Sequence, residues 1–197
     1  MPMKSRFFYK KICDANTISS TSLPSYLASY CDDEEDIVHI FTTKLIQQKE
    51  IKIKEFNFKF LHGILPCNVN LKKWKIKDNN ACDVCGIPQT IEHLLFDCIY
   101  VKPLWCLVED VCIDTITFKK LIGVDKCFYH NNFVSIICFL IYKEWVLLSL
   151  QRKHRNRSIA LPLYKHELQI RLKIYEKSIK LNESELILQM HELILKM

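Results

Sequence analysis

The chain reads as mainly α, a small helical bundle, and three observations carry that reading. Leu, Ile, Lys and Glu recur over long stretches at helical spacing. Three glycines and six prolines in 197 residues leave too few turn signals for an all-β chain. At 49% apolar and 25% charged, the composition is that of a folded protein with a true core.

Residues 1–34 form an N-terminal segment, expected to be partly ordered. It opens "MPMKSRFFYKKIC", which lacks the apolar run of a secretory signal, so the expected location is intracellular, nuclear or cytoplasmic, and not secreted. Ten cysteines in a reducing compartment are then thiols or metal ligands and not a disulfide framework. "YCDD", Tyr30 to Asp33, has the form of a polymerase metal motif. It lacks the flanking apolar strands and preceding palm that such a motif needs, and it runs into "EEDIVHIF", an acidic helix start.

Residues 35–150 are expected to form the main helical domain. "IKIKEFNFKF", 51 to 60, alternates like a half-buried strand. The longer track Ile37, Ile40, Phe41, Lys44, Leu45, Ile53, Phe56 and Phe60 fits a helix stopped by Gly63 and Pro66. Next, "VNLKKWKI" reads as a short helix capped by Asn68 and carrying Trp74.

"ACDVCGIPQTIEHLLFDC", 81 to 98, sets donors at C-x2-C-x7-H-x4-C. Zinc takes four N or S donors in a tetrahedron, and a C-x2-C pair supplies two from one tight turn. Cys82, Cys85, His93 and Cys98 are therefore the candidate ligands of a Zn2+ ion. Gly86 can take positive φ and turn the chain back over the metal. Thr90 is placed to cap a short helix from which His93 projects. An ideal α-helix would put Cys98 ~140° around and ~7.5 Å along from His93, so that helix must end near Asp97. Cys106, Cys112, Cys127 and Cys138 read as buried hydrophobes, and the histidines at 39, 62, 130, 154, 166 and 191 show no ligand pattern.

With these residues in view, segment 58–105 resembles the zinc-binding domain that follows the reverse transcriptase in polyproteins of LINE-type, non-LTR retrotransposons. That family shows a helix ending in an ILPTN-like signature, a short helix, the same four-donor spacing and a closing tryptophan. Here these are Ile64-Leu65-Pro66-Cys67-Asn68, with Cys67 in the threonine's place, then Cys82, Cys85, His93, Cys98 and Trp105. The resemblance favours helix for 51–60. It implies RNA or DNA binding during target-primed reverse transcription, with possible contact to a reverse transcriptase domain. Some relatives add a nuclease after the zinc site, but residues 102–125 lack its acid-and-lysine pattern. No enzymatic activity is expected of this chain.

"FVSIICFLIYKEWVLLSL", 133 to 150, approaches a membrane span in length. Lys143 and Glu144 would each cost roughly 2.5–3.5 kcal/mol at mid-bilayer, so it reads as a buried core helix. Residues 151–197 are a basic linker and C-terminal helices. Leu168, Leu172, Tyr175 and Ile179, then Leu186, Met190 and Leu193, form a stripe suited to a helical hairpin, or less readily to a dimer seam.

Charge is concentrated. Residues 44–77 and 151–180 each hold nine Lys or Arg against two acids, so the rest of the chain is acidic although the total is +6. Such blocks suit a polyanion or, equally, a solvated helix face. The nucleic-acid candidates are Lys72, Lys73, Trp74, Lys75 and Lys77, with Arg152, Lys153, Arg155 and Arg157. Single-stranded RNA is the favoured ligand, because an aromatic among lysines can stack an unpaired base; no membrane and no small-molecule substrate is implied. The other readings are a structural or protein-docking module, in which zinc only closes a small core, and an inactive retroelement remnant.

Overall fold

The computed structural model describes residues 27, 29–31, 34–46, 48–125, 130–151, 161–177 and 184–197. The expectations for Asp32, Asp33, Cys127, Arg152, Lys153, Arg155, Arg157 and Ile179 lie outside the described residues.

In chain order the helices are α1 (Glu34–Phe41), α2 (Ile51–Leu61), α3 (Asn68–Lys73), α4 (Lys102–Cys112), α5 (Phe118–Ile122), α6 (Asn131–Gln151), α7 (Leu161–Lys177) and α8 (Ser184–Lys196). Among the described residues the only extended pairing is a single bridge, Ala81 with Pro88. The mainly α expectation is met.

The track from Ile37 to Phe60 is not one helix. After α1 the chain widens into a π-helical turn, Thr42–Ile46, and breaks before α2. Gln48 supplies the break, its Oε1 accepting from the Lys49 and Glu50 N–H groups at 2.8 and 3.2 Å. Asn57 Nδ2 donates to the Lys44 carbonyl at 2.8 Å. Side chains thus take over backbone groups that a straight helix would have paired internally. The turn also sends Lys44 inward, 2% exposed, where Nζ donates to Ser135 Oγ at 2.9 Å and to the Asn131 carbonyl at 3.4 Å on α6. Lys44 therefore leaves the surface block to which its sequence position assigns it.

The core is assembled around α6, whose Phe133, Val134, Ile136, Ile137, Cys138, Leu140 and Ile141 are all buried. A helix apolar on all sides needs partners all round, and α2, α5 and α8 pack against it. By length and composition α6 could cross a membrane, yet 56% of its apolar window is buried inside the fold. Glu144 sits in that core at 4% exposure, its two oxygens accepting from Tyr100 and Tyr164 at 2.8 and 2.7 Å.

α8 packs on α7 and α4, and Leu168, Leu172, Tyr175, Met190 and Leu193 are buried there. These five positions of the stripe are spent within the molecule, as hairpin packing requires. Polar bonds fasten α7 as well: Lys143 to Glu167 at 2.6 Å, and Arg171 to Glu50 at 3.3 Å. Cys112 and Cys138 are buried as expected, but Cys106 is exposed, because it falls on the outer side of α4.

Candidate metal centre and its basic face

The knuckle begins where Cys82 N–H donates to the Ile87 carbonyl at 2.7 Å and Gly86 N–H to the Cys82 carbonyl at 2.9 Å. Gly86 has φ +73° with nothing near the space a Cβ would fill, so the backbone conformation alone calls for glycine. Thr90 then caps the next turn, its Oγ1 accepting from His93 N–H at 3.0 Å.

Sequence reasoning requires the helix to stop near Asp97, and the structure adds how. His93–Asp97 is a π-helical turn, closed by Cys98 N–H to the His93 carbonyl at 2.9 Å. An i→i+5 bond places residues five apart nearly in line, which brings Cys98 over His93. The ligand atoms of Cys82, Cys85, His93 and Cys98 all lie within 4.8 Å of one another.

These spacings suit a metal. Cys98 Sγ is 3.8 Å from Cys82 Sγ and 3.5 Å from Cys85 Sγ. A tetrahedron with metal–sulfur bonds of about 2.3 Å has sulfur–sulfur edges of about 3.8 Å. His93 is 4% exposed, and neither ring nitrogen makes a hydrogen bond of ordinary geometry within the protein. Leaving such a group unpaired costs about 1–3 kcal/mol, a penalty that a bound cation would remove. The Cys82 thiol is held well below the usual thiol range. A hydrogen bond from Cys98 is the main cause, burial opposes it, and the N–H groups of Cys85 and Val84 add to it. Cys98 is correspondingly raised by the same Cys82 contact and by burial. One thiol of the pair thus ionises readily, and a thiolate is the form that binds metal.

The centre is braced on three sides. Trp105 is 2% exposed and donates from Nε1 to the Leu95 carbonyl of the π-turn at 2.8 Å. Tyr30 donates to Glu92, beside His93, at 3.2 Å and meets Phe118 edge-on at 5.5 Å, so the tyrosine of "YCDD" serves packing. Tyr100, two residues after Cys98, reaches Glu144 of α6. An apolar groove of about 30 Å³ borders Cys82 and Cys98, far below the size of a substrate pocket.

Asn68 corrects the sequence reading. The α3 N-cap is Cys67, whose own side chain makes no capping bond. Asn68, 1% exposed, instead donates from Nδ2 to the Ala81 carbonyl at 2.7 Å and accepts from Lys77 Nζ at 2.8 Å. Gln89 completes the joint: its Oε1 accepts from Asn68 N–H and its carbonyl from Val69 N–H, both at 3.2 Å. α3 is thereby fixed to the knuckle next to Cys82. This joint was missed because nothing local marks it: Asn68 and Gln89 are 21 positions apart.

At the far end of α3, Trp74 is the C-cap and is 41% exposed. Lys72, Lys73 and Lys75 around it are exposed, and Lys75 has φ +60°, a left-handed turn that ends the helix. Lys77 differs from them, being half-buried and tied to Asn68.

Comparison with known families matches residues 42–105 to the one described as zinc-binding in reverse transcriptase. Neither the curated proteins nor the solved structures yield a match. The matched span holds all four converging donors and Trp105, so over residues 42–105 the chain carries a zinc-binding domain of the reverse-transcriptase type.

Proposed function

We propose that the chain is a non-catalytic nucleic-acid-binding domain in which Zn2+, held by Cys82, Cys85, His93 and Cys98, fixes a basic face for single-stranded RNA, in the service of target-primed reverse transcription by a neighbouring polymerase domain. The bound metal supplies charge neutralisation for the thiolates and a rigid cross-link, and so contributes directly to folding. The observation that carries the reading is Trp74, 41% exposed, among three exposed lysines on a helix bolted to the knuckle. A large aromatic left in water beside cations suits a stacked base with phosphates on either side.

The test is RNA binding across a salt series. Changing Lys72, Lys73 and Lys75 together to Gln is expected to reduce the slope of log affinity against log salt by about 2, at about 0.7 per lost phosphate contact on a single strand. Trp74→Ala is expected to weaken binding roughly fivefold to a hundredfold without changing that slope. A triple variant with the original affinity and slope overturns the reading, and the protein-docking alternative then takes its place.

A further inference from the structure

A second aromatic group faces outward on α2, about which the ligand pattern says nothing. Phe58 is half-buried and lies outside the hydrophobic core. Its ring lies against that of His62, the C-cap of α2, with centroids 4.0 Å apart and planes 31° from parallel. Phe41 meets His62 edge-on at 5.6 Å.

His62 Nδ1 is 2.8 Å from the Phe58 carbonyl. A carbonyl can only accept, so Nδ1 carries the proton, and Nε2 of the neutral ring is left as an acceptor. Three contacts thus hold an imidazole with its acceptor edge away from its own helix. At ~100° per residue, Phe58 and His62 share the outer stripe with Ile51 and Glu55, while Lys52 and Lys59 run along one edge. Both lysines are exposed, as are Ile51 and Glu55. The joint between α3 and the end of α2 is short: Asn70 Nδ2 donates to the Gly63 and Leu65 carbonyls at 2.9 and 2.8 Å.

We infer that Phe58 and His62 form a second nucleotide subsite for single-stranded RNA, in which the ring pair receives a base, Lys52 and Lys59 attract the backbone, and His62 Nε2 accepts from a ribose 2′-hydroxyl. The inference rests on the RNA reading of Trp74 and adds to it a means of telling RNA from DNA, since the 2′-hydroxyl is the donor that DNA lacks. Aromatic rings stack any base, and lysines attract either backbone. An acceptor held at a fixed position beside the stacked ring is what makes the distinction.

The experiment compares binding of a 12-mer oligouridine and its 2′-deoxy counterpart to the zinc-loaded full chain. Wild type is expected to prefer the ribose strand. His62→Phe keeps the ring and removes the acceptor. It is expected to lower ribose-strand affinity roughly threefold to tenfold and leave the deoxy strand unchanged. Phe58→Ala is expected to weaken both strands, roughly fivefold to a hundredfold. Glu55→Gln, a fully surface change that keeps the fold, is expected to tighten both. If Trp74→Ala weakens binding while the His62, Phe58 and Glu55 variants bind as wild type, the subsite is refuted and the Trp74 face stands. If wild type binds neither strand, both fail and the stripe becomes a candidate protein-docking face.

Discussion

Replacing Asn68 by Ser separates two accounts of the same residue. Serine is as good an N-cap as asparagine, so if Asn68 simply capped α3 the change would be close to neutral. In the structure it does something else. Its amide bridges the Ala81 carbonyl at 2.7 Å and the Lys77 ammonium at 2.8 Å from a position that is 1% exposed, and a hydroxymethyl group is too short to reach both. A neutral hydrogen bond contributes about 0.5–1.5 kcal/mol and one to a charged group about 1.5–3 kcal/mol. Because Lys77 is half-buried, its bond falls at the low end, so the loss is about 2 kcal/mol. For a chain of this size that lowers the melting temperature by about 4–8 °C. The assay is thermal unfolding of the zinc-loaded protein, with hydrogen exchange at the α3 amides as a local readout. The account expects faster exchange at Asn68 and Val69 and weaker RNA binding, although no lysine has been altered. An unchanged melting temperature would refute the joint and restore the capping role.

Other outcomes follow from the same geometry. Trp105→Phe keeps the ring packed but strips the Leu95 carbonyl of its donor, and should cost about 1–3 kcal/mol in urea unfolding. Burial lowers the Lys44 ammonium from 10.5 to about 8. Its folded pKa is below its unfolded one, so the penalty is fully present below pH 8 and is relieved as pH rises towards 10.5. Lys44→Met should be the more stable form at pH 7, by up to about 3 kcal/mol. The difference between wild type and the variant should shrink over that window, because the folded Cys138 thiol, the group charge-coupled to Lys44, is pushed up to about 12 by burial and stays protonated across it in both. A constant difference would show that Lys44 is not buried as a cation. Glu144→Gln should loosen α7 in hydrogen exchange, by weakening the link to Tyr164.

What could be read in advance follows from locality. The four donors, Gly86, Thr90 and the closing Trp105 lie within 24 positions of one another and depend on spacing, so the knuckle was legible. Core positions such as Ile53, Phe56, Phe60, Leu168 and Leu172 were legible from helical period. Three features were not. The π-turns at Thr42–Ile46 and His93–Asp97 depend on what the side chains must reach, which period does not encode. Lys44 falls both on the apolar track and in the basic block, and the partners that let it lie inward, Ser135 and Asn131, stand about 90 positions away. Asn68 looked like a cap because local propensity favours that role, whereas its true partners come from the knuckle. Glu144 showed only as a polar interruption in an apolar helix, and its two tyrosines explain why it is tolerated there.

The most direct test of the central claim is the metal content and coordination of the purified chain. Elemental analysis should give one zinc per chain, and X-ray absorption should show three sulfur ligands and one nitrogen, with Cys85→Ser losing both the metal and much of the module's helicity. A folded protein without metal, whose thiols at Cys82, Cys85 and Cys98 all react freely with an alkylating reagent, would contradict the account, as would a coordination shell lacking the His93 nitrogen.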